Sequence, residues 1–168
     1  MITNIILSNK ERLLLEDQKS HEEQCILKYE NYENLANDKE LKAIFRSNGQ
    51  KEKEHLETIN QLLSGKLPSL NNQPGSGQQP SQPKPQTPES KPVSFDHSST
   101  SNFKSSDKDL CSDILMSEKY VSGTYDTAIF EFQDAQVRDL LNHIQKEEQK
   151  HGEAVFTYMK NKGMYTPK

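Results

Sequence analysis

The sequence predicts an all-α fold, a four-helix bundle made of two repeated antiparallel helical hairpins. Three features predict it. Apolar residues recur at three-, four- and seven-residue steps, the chain matches itself at an offset of 96 residues, and a proline-rich stretch separates the matching halves. No segment alternates with period two over a useful length, so strands are not expected.

The first helix opens at Ser8, which forms a capping box with Glu11. Its inward stripe is Leu15, Glu22, Ile26, Tyr29, Tyr32 and Ala36. The pattern breaks near residues 34–38, where Asn37 and Glu40 form a second capping box. The next stripe is Leu41, Ile44, Phe45, Asn48, Glu52, His55, Ile59 and Leu62. Gly65 supplies a left-handed C-cap and Pro68 forbids continuation, which closes a hairpin over residues 8–65.

Residues 66–104 hold seven of the eight prolines but only five of the 52 apolar residues. Such a segment buries too little surface to offset its ordering entropy, so it is expected to be a disordered crossover. It is long enough to run from one end of a bundle to the other. The second hairpin, over 105–163, repeats the grammar of the first. Ser106 with Asp109 opens a helix carrying Leu110, Ile114, Glu118, Val121, Tyr125, Ala128 and Phe132. A break near Gln133 and Asp134 leads to Val137, Leu140, Leu141, Ile144, Glu148, His151, Val155 and Tyr158, and Gly163 and Pro167 close it. The two hairpins are expected to form one bundle, within a chain or swapped between two chains of a homodimer.

Composition removes several classes. No apolar run reaches the 18 or so residues of a membrane span, and the start lacks the basic n-region of a signal peptide. Cys25 and Cys111 make no disulfide framework, and no CxxC is present to hold zinc or a rubredoxin-type iron. A formal charge of −4 without basic clusters argues against nucleic acid. An intracellular protein of a reducing compartment is expected.

The internal repeat carries chemistry. Its retained positions pair Glu22 with Glu118, Tyr29 with Tyr125, Glu52 with Glu148 and His55 with His151. Residues at i and i+3 share a helix face, so each Glu-x-x-His can close on one ion. Each hairpin break lies midway between the first Glu and the Glu-x-x-His, so folding back brings them level. Two hairpins then gather Glu22, Glu52, His55, Glu118, Glu148 and His151 at the bundle centre, in the pattern of a di-iron or di-manganese carboxylate site. A set that mixes carboxylate and imidazole without thiolate suits iron, manganese or zinc, and by the pattern of such sites the expected cofactors are two iron or two manganese ions.

One Glu-x-x-His in helices so rich in Glu and Lys is ordinarily a solvated face. Here both motifs lie in phase with the apolar stripe, and burying four carboxylates without cations would cost many kcal/mol. Tyr29 and Tyr125 face the same way, either as core tyrosines or as groups orienting a ligand carboxylate behind the metals. Gly49 and Gly123 either clear room beside the metals or allow close helix packing. Cys25 reads as a buried free thiol. His21, His97 and His143 receive no role, and the recurrence of Asp17 and Asp113 has no physical account at this level.

The first arm, from Glu22-Glu23-Gln24 through Tyr29 to Glu52-Lys53-Glu54-His55, resembles the ferritin-like superfamily, rubrerythrins in particular. The second arm resembles the spore coat F family of endospore-forming bacteria, and the Gln/Pro-rich insert between the two hairpins is similar to that of clostridial members. The resemblance lies in Leu110-Cys111-Ser112-Asp113-Ile114-Leu115-Met116-Ser117-Glu118-Lys119-Tyr120, in Ala128-Ile129-Phe130-Glu131 and in the ending Tyr158 to Tyr165. It implies a ferritin-like bundle, synthesis in the mother-cell cytoplasm during sporulation, deposition in the spore coat and other coat proteins as partners. It also admits a second reading, a di-metal redox enzyme acting on peroxide or dioxygen like rubrerythrins or manganese catalases. The pattern departs from rubrerythrins at Val121, where they carry a further Glu, and in having no rubredoxin module.

Overall fold

The computed structural model describes residues 4–68 and 105–166. Four helices account for most of it: α1 (Asn9–Leu35), α2 (Lys39–Leu63), α3 (Asp107–Glu131) and α4 (Ala135–Asn161). Among the described residues the only extended pairing is an isolated antiparallel bridge, Asn4 with Lys66, beside which the Ile5 N–H donates to the Gly65 carbonyl at 2.9 Å. The expected crossover at 66–104 lies outside the described residues from 69 onward.

Helix starts follow local chemistry. Ser8 and Ser106 each sit at an N-cap, with Glu11 and Asp109 completing the two capping boxes. The second helix of each hairpin is capped by an aspartate. Asp38 accepts the Glu40 N–H at 2.8 Å, and Asp134 accepts those of Gln136 and Val137 at 2.7 and 3.3 Å. The cap of α2 is therefore Asp38 and not Asn37, as its sequence suggested. Asn37 is engaged elsewhere, its backbone and side-chain N–H groups donating to Asp107 Oδ1 at 2.7 and 3.3 Å. At the far ends, Gly65 (φ 79°) and Gly163 (φ 68°) take the left-handed conformation that ends a helix.

Ion pairs fix the directions of packing. Lys10 at the start of α1 meets Glu131 at the end of α3 at 2.5 Å, and Lys28 meets Asp113 at 2.7 Å, so α1 and α3 run antiparallel. Lys162, just past α4, meets Asp38 at the start of α2 at 2.8 Å, which makes α2 and α4 antiparallel too. The order is up, down, down, up. Consequently α2 ends and α3 begins at opposite ends of the bundle, about 37 Å apart at 1.5 Å per residue.

The turns are docked by repeat-related acids. Glu11 accepts the Gln133 N–H in the α3–α4 turn at 2.9 Å, while Asp107 accepts those of Asn37 and Asp38 in the α1–α2 turn at 2.7 and 3.0 Å. Each hairpin thus satisfies the orphan backbone donors of the other. Between these docked ends lie two apolar cores. One holds Leu15, Ile59, Leu62, Tyr125, Phe132 and Leu141, and the other holds Tyr29, Leu41, Phe45, Ile114, Val155 and Tyr158. The belt between them is occupied by carboxylates and imidazoles.

The two helix-interior glycines differ. A Cβ on Gly49 would lie 2.9 Å from the Tyr29 Cβ, so close packing of α1 on α2 requires it. Gly123 is exposed, with nothing within 4 Å of its would-be Cβ, and serves neither packing nor the belt.

Candidate metal centre

Each helix contributes to the belt because its apolar stripe passes through a charged position at mid-length. Glu22 comes from α1, Glu52 and His55 from α2, Glu118 from α3, and Glu148 and His151 from α4, all 0–4% exposed. The structure brings all six together in two overlapping groups. Glu22, Glu52, His55 and Glu148 form one, and Glu52, Glu118, Glu148 and His151 the other, with ligand atoms in each within 4.8 Å of one another. Glu52 and Glu148 belong to both groups and stand where bridging carboxylates would.

The imidazoles face inward through Nδ1. His55 Nδ1 lies 3.0 Å from Glu148 Oε1, 3.1 Å from Glu52 Oε2 and 3.7 Å from Glu22 Oε2. His151 Nδ1 lies 3.1 Å from Glu52 Oε1 and 3.7 Å from both Glu118 Oε1 and Glu148 Oε2. The rings stack at 5.7 Å, 25° apart. Glu22 Oε2, Glu118 Oε2 and both oxygens of Glu148 are buried without a hydrogen-bond partner. Glu148 Oε1 is 3.0 Å from His55 Nδ1 without forming a hydrogen bond, and Oε2, 3.7 Å from His151 Nδ1, is beyond hydrogen-bond distance. Four buried, orphaned carboxylate oxygens beside two imidazole nitrogens suit hard or borderline divalent cations.

Behind the six sit the tyrosines, crossed between hairpins. Tyr29 Oη donates to Glu118 Oε1, and Tyr125 Oη donates to Glu22 Oε1. Each hydroxyl thereby fixes one carboxylate oxygen; in Glu22 the orphaned Oε2 is the one 3.7 Å from His55 Nδ1, whereas in Glu118 the tyrosine-bound Oε1 is the one 3.7 Å from His151 Nδ1. Sequence spacing placed these tyrosines inward but not across the hairpin boundary. It also left out Glu147, whose Oε2 lies 2.9 Å from His55 Nε2, and gave no role to Asn48, whose Nδ2 donates to Tyr29 Oη at 3.2 Å. Glu147 falls three residues after Ile144 and four before His151, a flank of the buried stripe that could have shown it.

Electrostatics follow from burial. Desolvation drives the Glu22 carboxyl up to about 8, the neighbouring Glu148 and Glu52 charges adding to a rise that His55 only partly offsets. Glu118 is likewise raised well above the ordinary range, chiefly by burial. In Glu52 and Glu148 burial also pushes upward, but contacts with His151 and His55 outweigh it and hold both carboxyls low. His151, despite burial pulling it down, is raised to about 11 by Glu118, Glu148 and Glu52, and His55 is raised well above its ordinary value. The shifts thus pair raised imidazoles with lowered carboxyls at Glu52 and Glu148, and push Glu22 and Glu118 towards the protonated form.

Other candidates resolve simply. Cys25 is a buried thiol pushed upward by burial and then by Glu52 and Glu118, and Cys111 is buried at the other end. Asp113 accepts from Lys28 Nζ and Tyr32 Oη, both at 2.7 Å, whereas Asp17 is exposed, so their recurrence reflects no shared contact. His21 packs edge-on against Tyr120 at 5.4 Å. His143 Nε2 lies 3.7 Å from Glu147 Oε2, and His97 falls outside the described residues.

No curated protein matches the chain. Among solved structures it is similar to a protein of Bacillus halodurans C-125, described as a putative spore coat protein, with a TM-score of 0.70. The likeness covers 96% of this chain and 93% of that one at 18% identity, and so speaks for the fold. The family model of the Coat F domain matches residues 106–168, that is, α3, the docked turn, α4 and the chain end. The second hairpin, with Glu118, Glu148 and His151 on it, is thus the part of the chain that matches the Coat F domain.

Proposed function

We propose that this protein is a spore coat component whose ferritin-like bundle is built around a dinuclear metal carboxylate centre, with iron or manganese as the ions. One observation carries the centre. Two four-residue ligand groups share Glu52 and Glu148, and Glu22 Oε2, Glu118 Oε2 and both Glu148 oxygens within them are buried without a hydrogen-bond partner. In this reading Glu22 and His55 hold one position, Glu118 and His151 the other, and Glu52 and Glu148 bridge. Tyr125 and Tyr29 keep Glu22 and Glu118 in place. Two such ions would supply positive charge and redox capacity in an otherwise apolar interior. The residues themselves give up protons from Glu22, Glu118 and both imidazoles as cations enter.

In this reading the protein is made in the mother cell, deposited in the spore coat and associated with other coat proteins; the Coat F match supports the coat location and these partners. Met116, Tyr120 and Phe130 on α3 are exposed large apolar side chains and offer a surface for that association or for a homodimer. Recovery of the protein from extracted spore coats supports this reading, and its absence from them overturns it.

A redox activity on peroxide or dioxygen has one observation in its favour. Each group offers four protein side chains, which with one donor atom apiece would leave room for an exogenous ligand on an ion that prefers five or six. Purified protein loaded with iron or manganese is expected on that reading to consume peroxide. Failure of the loaded protein to do so removes the enzyme and leaves the coat component.

A further inference from the structure

The 96-residue offset maps every proposed ligand onto an identical residue, yet the shell behind the ligands breaks that symmetry. Glu147 is 8% exposed, and its Oε2 lies 2.9 Å from His55 Nε2. A carboxylate oxygen accepts and does not donate. Nε2 must therefore carry the hydrogen, which leaves Nδ1, the atom facing Glu22, Glu52 and Glu148, with the lone pair in the neutral ring. The repeat partner of Glu147 is Lys51. Its ammonium is turned to Glu54 at 2.6 Å, and among the described residues His151 makes its polar contacts through Nδ1 alone.

Resting on the dinuclear reading above, we propose that the two metal positions are unequal. The Glu22–His55 position binds its ion more tightly and fills first, because Glu147 backs its imidazole and nothing comparable backs His151. A carboxylate behind a ligating histidine fixes the ring and raises its basicity, and loss of such a group commonly costs 10–100-fold in metal affinity. The other position has a device of its own, Asn48 donating to Tyr29, which holds Glu118; the repeat partner of Asn48 is Ile144. That amide is neutral and acts one bond further from the ion, on an already anionic ligand. It does not balance a charged group in direct contact with an imidazole. Glu147 is thus a positioning residue, which acts through His55.

The test is titration of the metal-free full chain with manganese(II), reading free ion by its electron paramagnetic resonance signal. Wild type is expected to bind one ion and then a second, with dissociation constants about 10–100-fold apart. In Glu147→Gln the first step weakens by about that factor and merges with the second, while two ions are still bound at saturation. Lys51→Glu places a carboxylate behind His151 and is expected to strengthen the second step. Visible spectra with cobalt(II) add a signature that a general loss of stability would not give: separate bands for the first and second equivalents in wild type, coincident filling in Glu147→Gln.

Two equal sites in wild type overturn the inequality and leave the dinuclear reading standing. So does a Glu147→Gln protein whose two steps stay as far apart as in wild type. If Glu147→Gln does not fold, Lys51→Glu decides, and an unchanged gap between its steps overturns the proposal. A single ion bound by wild type and weakened in Glu147→Gln supports the inequality and removes the dinuclear reading. No uptake by wild type overturns both.

Discussion

Tyr125 and Tyr29 each spend a buried hydroxyl on a carboxylate of the opposite hairpin, which gives a direct handle on the centre. Tyr125→Phe keeps the ring in its core but removes the donor to Glu22. A bundle less stable by about 1–3 kcal/mol in urea titration is expected, because a buried acceptor loses its partner. Titration of the centre supplies a second handle. The raised Glu22 carboxyl contributes stability that is complete below its ordinary 4.5 and lost as pH rises through about 8. His151 acts in the same direction, its contribution complete below 6.5 and lost through about 11. Glu147 works oppositely: His55 holds it down to about 2, so its contribution is present above 4.5 and lost as pH falls through about 2. Metal-free protein should therefore lose thermal stability from about pH 6 to about pH 9, while manganese uptake tightens over the same interval as protons leave the ligands. Melting curves with and without manganese check both signs. The six candidate ligands were readable from spacing because each sits on a helical stripe. Glu147 was passed over because, in the run Lys146-Glu147-Glu148, it lies on the flank of the stripe and not on its centre line; the packing of α2 on α4 turns it inward as well.

At the scale of the helix, the glycines make opposite predictions. Gly49→Ala forces a methyl to 2.9 Å from the Tyr29 Cβ and should cost about 1–3 kcal/mol. Gly123→Ala meets nothing within 4 Å and should stabilise by about 0.5–1 kcal/mol, the ordinary gain of replacing glycine inside a helix. Chemical denaturation of the two variants beside wild type measures both. Helix spans were legible because α1 and α3 end, and α2 and α4 begin, at the same 96-residue offset. The cap at Asp38 was not, since Asn37 and Asp38 are equally good candidates in sequence. The choice between them is tertiary: Asp107, from the far hairpin, takes the Asn37 amide. Capping boxes whose partners lie three residues apart needed no such knowledge.

Across the whole molecule, the bundle is two apolar cores held apart by a charged belt, with each hairpin's turn docked on an acid from the other. This organisation accounts for a chain with only 31% apolar residues: beyond the proline-rich stretch, positions that would be core in an ordinary bundle are given to Glu and His. Neither core is continuous through the centre, so cations binding there should join them mechanically as well as neutralise charge. Ligand binding to the folded state alone raises stability by about 2.7 kcal/mol at a hundredfold excess over Kd, so saturating manganese should raise the melting temperature clearly. The up-down-down-up order was permitted, though not chosen, by a spacer long enough to run the length of the bundle. Which hairpin faces meet was not legible, because pairing of α1 with α3 and α2 with α4 is set by ion pairs such as Lys28–Asp113 that have no counterpart in the repeat.

The central claim, that Glu22, Glu52, His55, Glu118, Glu148 and His151 form a dinuclear metal centre, is met most directly by elemental analysis of the full chain after anaerobic loading with iron or manganese and removal of loosely held ions. The account predicts two ions per chain in wild type and loss of both when the two shared carboxylates are removed in a Glu52→Ala, Glu148→Ala double variant. A wild-type protein that folds and retains no metal would contradict it.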